Sequence, residues 1–161
     1  MPLYFDYGSN MASGRLADRG IPFRVLGRAR LDGYRLALTR RSVRTGTGVA
    51  DIVVDPGSSV WGVLYELDDD AVAELDRKEG LPWAYSRRPV EVHPNGSGAE
   101  AAFTYVVSRR EDDEVAPSSE YLESILDGAR EHRLPAGYVA SLESLRRRWL
   151  GAPSGRQGRR P

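Results

Sequence analysis

Two places in this chain have residue types and spacing that could do chemistry: Glu79, and the turn Tyr7-Gly8-Ser9-Asn10-Met11. Glu79 ends the stretch Asp68-Asp69-Asp70-Ala71-Val72-Ala73-Glu74-Leu75-Asp76-Arg77-Lys78-Glu79-Gly80-Leu81-Pro82. Aspartates supply a helix N-cap and first turn, Gly80 falls at the position after the C-cap, and Pro82 stops the helix. Val72, Leu75 and Glu79 follow an i, i+3, i+7 spacing and share one face, so Glu79 stands where the periodicity calls for an apolar side chain. It also stands in the last turn, where the helix dipole disfavours negative charge. Desolvation and the dipole both push its pKa above the ordinary ~4.3, which makes it a candidate general base. The same spacing fits an exposed end residue paired with a neighbouring arginine, and spacing alone leaves both readings open.

The second place is local. The extended run Leu3-Tyr4-Phe5, with Tyr7, stops at Gly8 and is followed by Ser9 and Asn10, both good N-caps, then by helix-compatible Met11-Ala12. A strand that breaks on glycine into a helix exposes backbone N–H groups at one point, a setting that favours an anion. The glycine lets backbone and ligand approach closely. An ordinary strand-to-helix connection has the same sequence pattern, so the turn by itself does not assign a function.

Composition removes whole classes of chemistry. The 161 residues fit one domain with a real core. Lys plus Arg number 23 and so do Asp plus Glu, so no net field recruits nucleic acid or an anionic membrane. Without cysteine there is no disulfide, thiolate zinc site or Cys nucleophile. His93 and His132 have no carboxylate cluster at ligand spacing, and no G-x-S-x-G elbow exists, so neither a metal site nor a Ser-His-Asp triad is expected. Ser9 has no evident base beside it and is a poor nucleophile candidate. No long apolar run or signal-peptide core follows Met1, so a soluble, cytoplasmic protein is expected. Lys78 is the only lysine among many arginines, alanines and glycines, a bias of GC-rich coding that points to a bacterial source.

The elements that must position these residues follow in order. Met11 to Arg19 is read as a short helix ended by Gly20 and Pro22. Tyr34, Leu36 and Leu38, alternating with Arg35 and Ala37, predict a half-buried strand. Arg40-Arg41-Ser42-Val43-Arg44 has the charge to meet phosphate or an acidic partner, but nothing aromatic interleaves it, and a solvated loop is the preferred reading. Gly46 to Val54 is β-rich, Asp55-Pro56-Gly57-Ser58 reads as a turn, and Val60 to Leu67 reads as a central strand. Gly46 and Gly48 lack the downstream Gly-Lys-Ser/Thr of a phosphate loop. Arg87–Val92 and Ala101–Val107 predict a hairpin around Pro94-Asn95-Gly96-Ser97-Gly98. Tyr105 falls on the row of Ala101, Phe103 and Val107, where core packing with a satisfied hydroxyl is the ordinary role. Glu111-Asp112-Asp113-Glu114 reads as a solvated loop. A helix opens at Pro117-Ser118 with the stripe Tyr121, Leu122, Ile125, Leu126 and Ala129, and Gly128 within it points to close packing. Another helix starts at Pro135 and carries Tyr138, Leu142, Leu145 and Trp149. From Gly151 the composition is that of a disordered basic tail, which sets the expected boundaries at 1–150 and 151–161. The class is α+β with a mixed or barrel-like sheet.

Four stretches taken together resemble the γ-glutamylcyclotransferase family: Tyr4-Phe5-Asp6-Tyr7-Gly8-Ser9-Asn10-Met11; Gly48 to Ile52 running on to Val60-Trp61-Gly62-Val63-Leu64-Tyr65; Leu75-Asp76-Arg77-Lys78-Glu79-Gly80; and Tyr121-Leu122 through Gly128-Ala129, Leu134-Pro135 and Tyr138. The resemblance implies a small mixed β-barrel flanked by helices, with a pocket at one end. It also implies the reaction, attack of the α-amine of a γ-glutamyl group on its own γ-carbonyl to release 5-oxoproline and an amine or amino acid. No cofactor or metal takes part in that scheme. Tyr7, Gly8, Ser9, Asn10 and Met11 match the family's substrate-holding loop, Glu79 its acid/base carboxylate, and Tyr105 and Tyr85 its pocket tyrosines. Asp6 departs from the family, which usually has a small residue there. It could contact the substrate's ammonium or face solvent, and substrate preference is what it puts in doubt. The implied partner is a small γ-glutamyl compound, not a nucleic acid or membrane, and monomer and homodimer are both open. A non-catalytic ligand-binding or partner-binding member of the same fold is the alternative function.

Overall fold

Two long strands, β2 (Arg24–Arg41) and β3 (Gly48–Glu66), form the body of the molecule, paired antiparallel from Arg24↔Glu66 to Arg41↔Gly48. In this computed structural model residues 1–95 and 97–151 are described. β1 (Leu3–Asp6), β4 (Tyr85–Pro94) and β5 (Glu100–Val107) complete a closed barrel in the order β1-β3-β2-β4-β5. All pairings are antiparallel except that of β1 with β5, where Tyr4 faces Phe103. Closure removes free sheet edges. The expected α+β class, a small mixed barrel flanked by helices, is the fold observed. The predicted hairpin is β4–β5, in register from Tyr85↔Val107 to Val92↔Glu100. Gly96 of its turn, and residues 152–161 of the expected tail, lie outside the described residues.

Two local expectations are corrected. The chain does not reverse at Asp55-Pro56-Gly57-Ser58. Ser59 pairs with Asp32 and Val54 with Tyr34, so residues 55–58 swell out of β3 opposite Gly33 while the strand continues. The strand ends on both sides are already committed to one partner, and the turn chemistry produces a bulge. The helix expected over Met11–Arg19 is split into a 3₁₀ turn, Ser9–Met11, and a separate α1, Ser13–Asp18, with extended Ala12 between them. The Tyr65 hydroxyl lies 2.8 Å from the Asn10 carbonyl and 3.2 Å from that of Met11, occupying acceptors that a continuous helix would use.

The remaining helices pack outside the barrel. α2 (Asp69–Lys78) is capped by Asp68, whose side chain accepts from Ala71 N at 2.7 Å. At its other end Gly80 (φ +71) donates to the Arg77 carbonyl and Leu81 to that of Asp76, the paired bonds of a Schellman motif. That motif fixes Glu79 as the C-cap residue. α3 (Ser119–Glu131) buries Leu122, Ile125, Leu126 and Ala129, and α4 (Ala136–Leu150) buries Leu142. Glu114, read from sequence as part of a solvated loop, accepts from Leu38 N and from Arg148, tying the end of α4 to β2.

Gly128 of α3 is where a helix presses on the functional turn. A Cβ there would lie 2.6 Å from both Ala12 N and Met11 Cβ, which is why the glycine is tolerated mid-helix. Gly128→Ala is therefore expected to lose about 1–3 kcal/mol of stability through overpacking. Gly137→Ala, in the open first turn of α4 with nothing within 4 Å, should be neutral or gain up to ~1 kcal/mol. Urea denaturation of the two variants checks this, and equal stability for both would contradict the close approach.

Candidate active site

The ends of several elements meet at one end of the barrel. β1 delivers Asp6 and the turn behind it, α1 delivers Arg15 and Arg19, and the end of α2 delivers Glu79. They surround a pocket of about 460 Å³, within the ~300–1,000 Å³ usual for small-molecule sites.

Glu79 faces this pocket with its side chain 16% exposed. The geometry expected from Val72 and Leu75 holds, since both are buried and the acid continues their face. Burial raises its pKa, and the nearby guanidinium of Arg19, then Arg15 and Arg40, oppose that rise. Arg19 Nη1 donates to Glu79 Oε2 at 3.1 Å and lies 3.4 Å from Asn10 Oδ1. Of the readings left open by the spacing, the pairing with an arginine is present but the exposed end is not: the acid meets Arg19 inside the pocket.

A second carboxylate sits beside the first. Asp6 is buried, accepts from the Tyr4 hydroxyl at 2.7 Å and from Gly8 N at 3.0 Å, and so does not face solvent. Burial, with Glu79 adding repulsion, outweighs these bonds and pushes its pKa up to about 6. Asn10 Nδ2 donates to the Tyr4 hydroxyl at 3.0 Å. One chain of hydrogen bonds therefore runs Asp6–Tyr4–Asn10–Arg19–Glu79.

The other predicted site residues separate into groups. Tyr7, Gly8, Ser9, Asn10, Tyr85 and Tyr105 all line the pocket. Met11 does not: it is fully buried against α3. Gly8, not Ser9 or Asn10, is the cap of the 3₁₀ turn, and its amide is occupied by Asp6. The hydroxyls of three tyrosines hold the walls together. Tyr7 donates to the Tyr105 carbonyl, Tyr85 to the Ala50 carbonyl at 2.9 Å, and Tyr105 to Asp76 Oδ1 at 2.7 Å.

Sequence reasoning missed Arg15, Arg19, Arg40 and Tyr121. Tyr121 was counted as part of an apolar stripe, yet it lines the pocket and its hydroxyl accepts from Ala50 N at 2.8 Å, which leaves its own proton to donate. A phenol among aliphatic residues on one helix face was the available signal. Arg40 lies over the Tyr85 ring, 5.9 Å from its centroid, so the aromatic partner absent from its own stretch comes from β4.

This barrel recurs in solved proteins. A structure described as gamma-glutamyl cyclotransferase superposes with a TM-score of 0.83 at 26% identity, over 99% of this chain and 93% of the other. A crystal structure of an uncharacterized protein from Homo sapiens gives a TM-score of 0.82 at 28% identity, over 88% of this chain and 86% of that one. In sequence, gamma-glutamylcyclotransferase of Bos taurus is 29% identical over 147 residues, 89% of this chain and 78% of the relative. The fold class is thus that of the gamma-glutamyl cyclotransferase barrels, and the expected type of enzyme agrees with these relatives. The chain belongs to the AIG2-like family, whose model matches residues 59–142.

The elevated Asp6 pKa gives a pH signature. A carboxyl group that binds its proton more tightly when folded stabilises the native state at low pH, and that stability is lost as pH rises from about 3.8 through about 6. The gap corresponds to roughly 3 kcal/mol at ~1.4 kcal/mol per pH unit. Relative to Asp6→Asn, the wild type should lose up to about that much unfolding free energy between pH 4 and pH 7.5. Urea titrations at the two pH values measure it, and a constant difference between the proteins would mean that Asp6 titrates normally.

Proposed function

We propose that the protein is a γ-glutamylcyclotransferase in which Glu79 is the general acid/base. The observation that carries this reading is a desolvated carboxylate on the pocket wall, held by Arg19 and placed in the same pocket as the Tyr7–Asn10 turn. The substrate is a γ-glutamyl amide whose head lies along that turn.

The reaction needs no nucleophile from the protein. The substrate's α-amino nitrogen bonds to its own γ-carbonyl carbon, and the bond from that carbon to the leaving nitrogen breaks. Holding both ends in one pocket supplies much of the acceleration, because the attack is intramolecular. The attacking nitrogen enters as an ammonium and sheds two protons to become the lactam N–H; Glu79, entering as carboxylate, passes them one after the other to the leaving nitrogen, which departs as an ammonium, so protons balance. The products are 5-oxoproline and a free amine or amino acid. The Tyr121 hydroxyl, with its proton free, is the donor suited to the oxygen that gains charge in the tetrahedral intermediate. Arg19 acts through Glu79: it opposes the burial that disfavours the charged carboxylate and fixes one of its oxygens, leaving the other for substrate.

Glu79→Gln should lower 5-oxoproline release from a γ-glutamyl substrate by about 10²–10⁴-fold, the usual share of a general base. Turnover equal to wild type would remove Glu79 from the mechanism. Arg19→Gln makes a separate prediction. Loss of the opposing cation lets burial raise the Glu79 pKa further, so the acid limb of the kcat/KM profile should move to higher pH. A limb that stays in place would show that Arg19 does not set the ionisation of the base.

A further inference from the structure

The pocket carries more positive charge than the glutamyl half of a substrate can use. Arg15, Arg19, Arg40, Arg44 and Lys78 line it, against Asp6, Glu79 and Glu120. Arg19 is taken by Glu79, and Lys78 lies 4.0 Å from Glu74. Among the described residues, Arg15, Arg40 and Arg44 have no acidic partner within ion-pair distance, and the rim carboxylate of Glu120 has no cationic one. A γ-glutamyl head brings one ammonium and one carboxylate, so it satisfies at most one free arginine and leaves a surplus. That surplus is not spread evenly. Arg40 lies next to the end of β2 and over the Tyr85 ring, whose own hydroxyl is fixed to the Ala50 carbonyl. Arg44 stands on the loop that follows, beside Ser42, Val43, Thr45 and Thr47. The backbone of this loop is tied by its own hydroxyls: Arg44 N and Thr45 N both donate to Ser42 Oγ, and Arg41 Nη1 donates to the Gly46 carbonyl. The cations are therefore presented by a braced wall with hydrogen-bonding side chains around them, a suitable seat for an anionic oxygen cluster.

We propose that the leaving amine of the substrate carries an anionic group beyond the α-carboxylate that any amino acid has, seated against Arg40 and Arg44, and that this wall selects acidic leaving groups and rejects cationic ones. The inference rests on the cyclotransferase reading and names the substrate class for the same pocket. The basic stretch at Arg40–Arg44 becomes the specificity wall, with Glu79 and the Tyr7–Asn10 turn acting on the glutamyl half common to all substrates. Carboxylate and phosphate share the required chemistry, and a cationic polyamine meets repulsion from the same side chains.

The test is a series of γ-glutamyl conjugates with one head and varied leaving amines: glutamate, phosphoethanolamine, alanine, alanine amide and diaminobutane. Release of 5-oxoproline is followed at low and high salt. The expected kcat/KM is highest for the glutamate or the phosphoethanolamine conjugate, whichever is larger naming the anion, and lowest for diaminobutane. About ten-fold should separate glutamate from alanine, and the gap should shrink in high salt because the cations are partly exposed. Arg44→Gln, on an exposed loop, and Arg40→Gln should each narrow the same ratio. Equal kcat/KM across the series, preference for diaminobutane, or an undiminished ratio in both variants overturns the proposal. If no conjugate releases 5-oxoproline, the cyclotransferase reading fails. Calorimetry of the glutamate and alanine conjugates then decides the charge preference by itself: tighter, salt-sensitive binding of the glutamate conjugate upholds it, and equal binding overturns it.

Discussion

The site depends on an ion pair that has been taken partly out of water. Arg19 and Glu79 come from the C-terminal ends of two short helices, and neither end would be held in place by its helix alone. A Schellman turn at Gly80 fixes one, and the hydrogen bonds of Asn10 and Tyr4 bear on the other. Burial raises the pKa of Glu79 and the guanidinium opposes that rise, so the two act against each other on one carboxylate. The acid/base role proposed for Glu79 calls for this kind of opposition.

Around that pair the barrel works as scaffold. Tyr65, on β3, fastens the carbonyls of the 3₁₀ turn, and Gly128, on α3, lets a helix close against it. Three pocket tyrosines spend their hydroxyls on neighbouring walls, two on backbone carbonyls and one on Asp76, so these rings are tied to the walls without any ligand. Asp6 belongs to the same framework. It occupies the Gly8 amide that sequence reasoning had offered to a ligand, and through Tyr4 it joins the chain leading to Arg19.

What could be read from sequence was local. The α2 helix, its aspartate cap, its glycine stop and the inward face of Glu79 follow from spacing within fifteen residues, and the structure shows each of them. Gly128 was legible because glycine inside a helix needs a reason, and the approach of Ala12 supplies one. The pairing of Arg19 with Glu79 joins residues far apart in the chain, so no periodicity could reveal it. Arg40 was read as solvated because its aromatic partner lies on another strand. The turn signals at residues 55–58 were genuine, but their effect was decided by the ladder on either side.

The hydrogen-bond chain that starts at Asp6 also passes through Tyr4, which is wholly buried and stacks on Phe103 and Tyr65. Repacking the barrel interior near Tyr4 therefore reaches Glu79, and the stability of the barrel and the placing of that carboxylate cannot drift independently there. The loop bearing Arg44 has no such tie. In the roles proposed for them, the proton-carrying carboxylate and the wall that chooses its cargo thus lie in different parts of one small molecule.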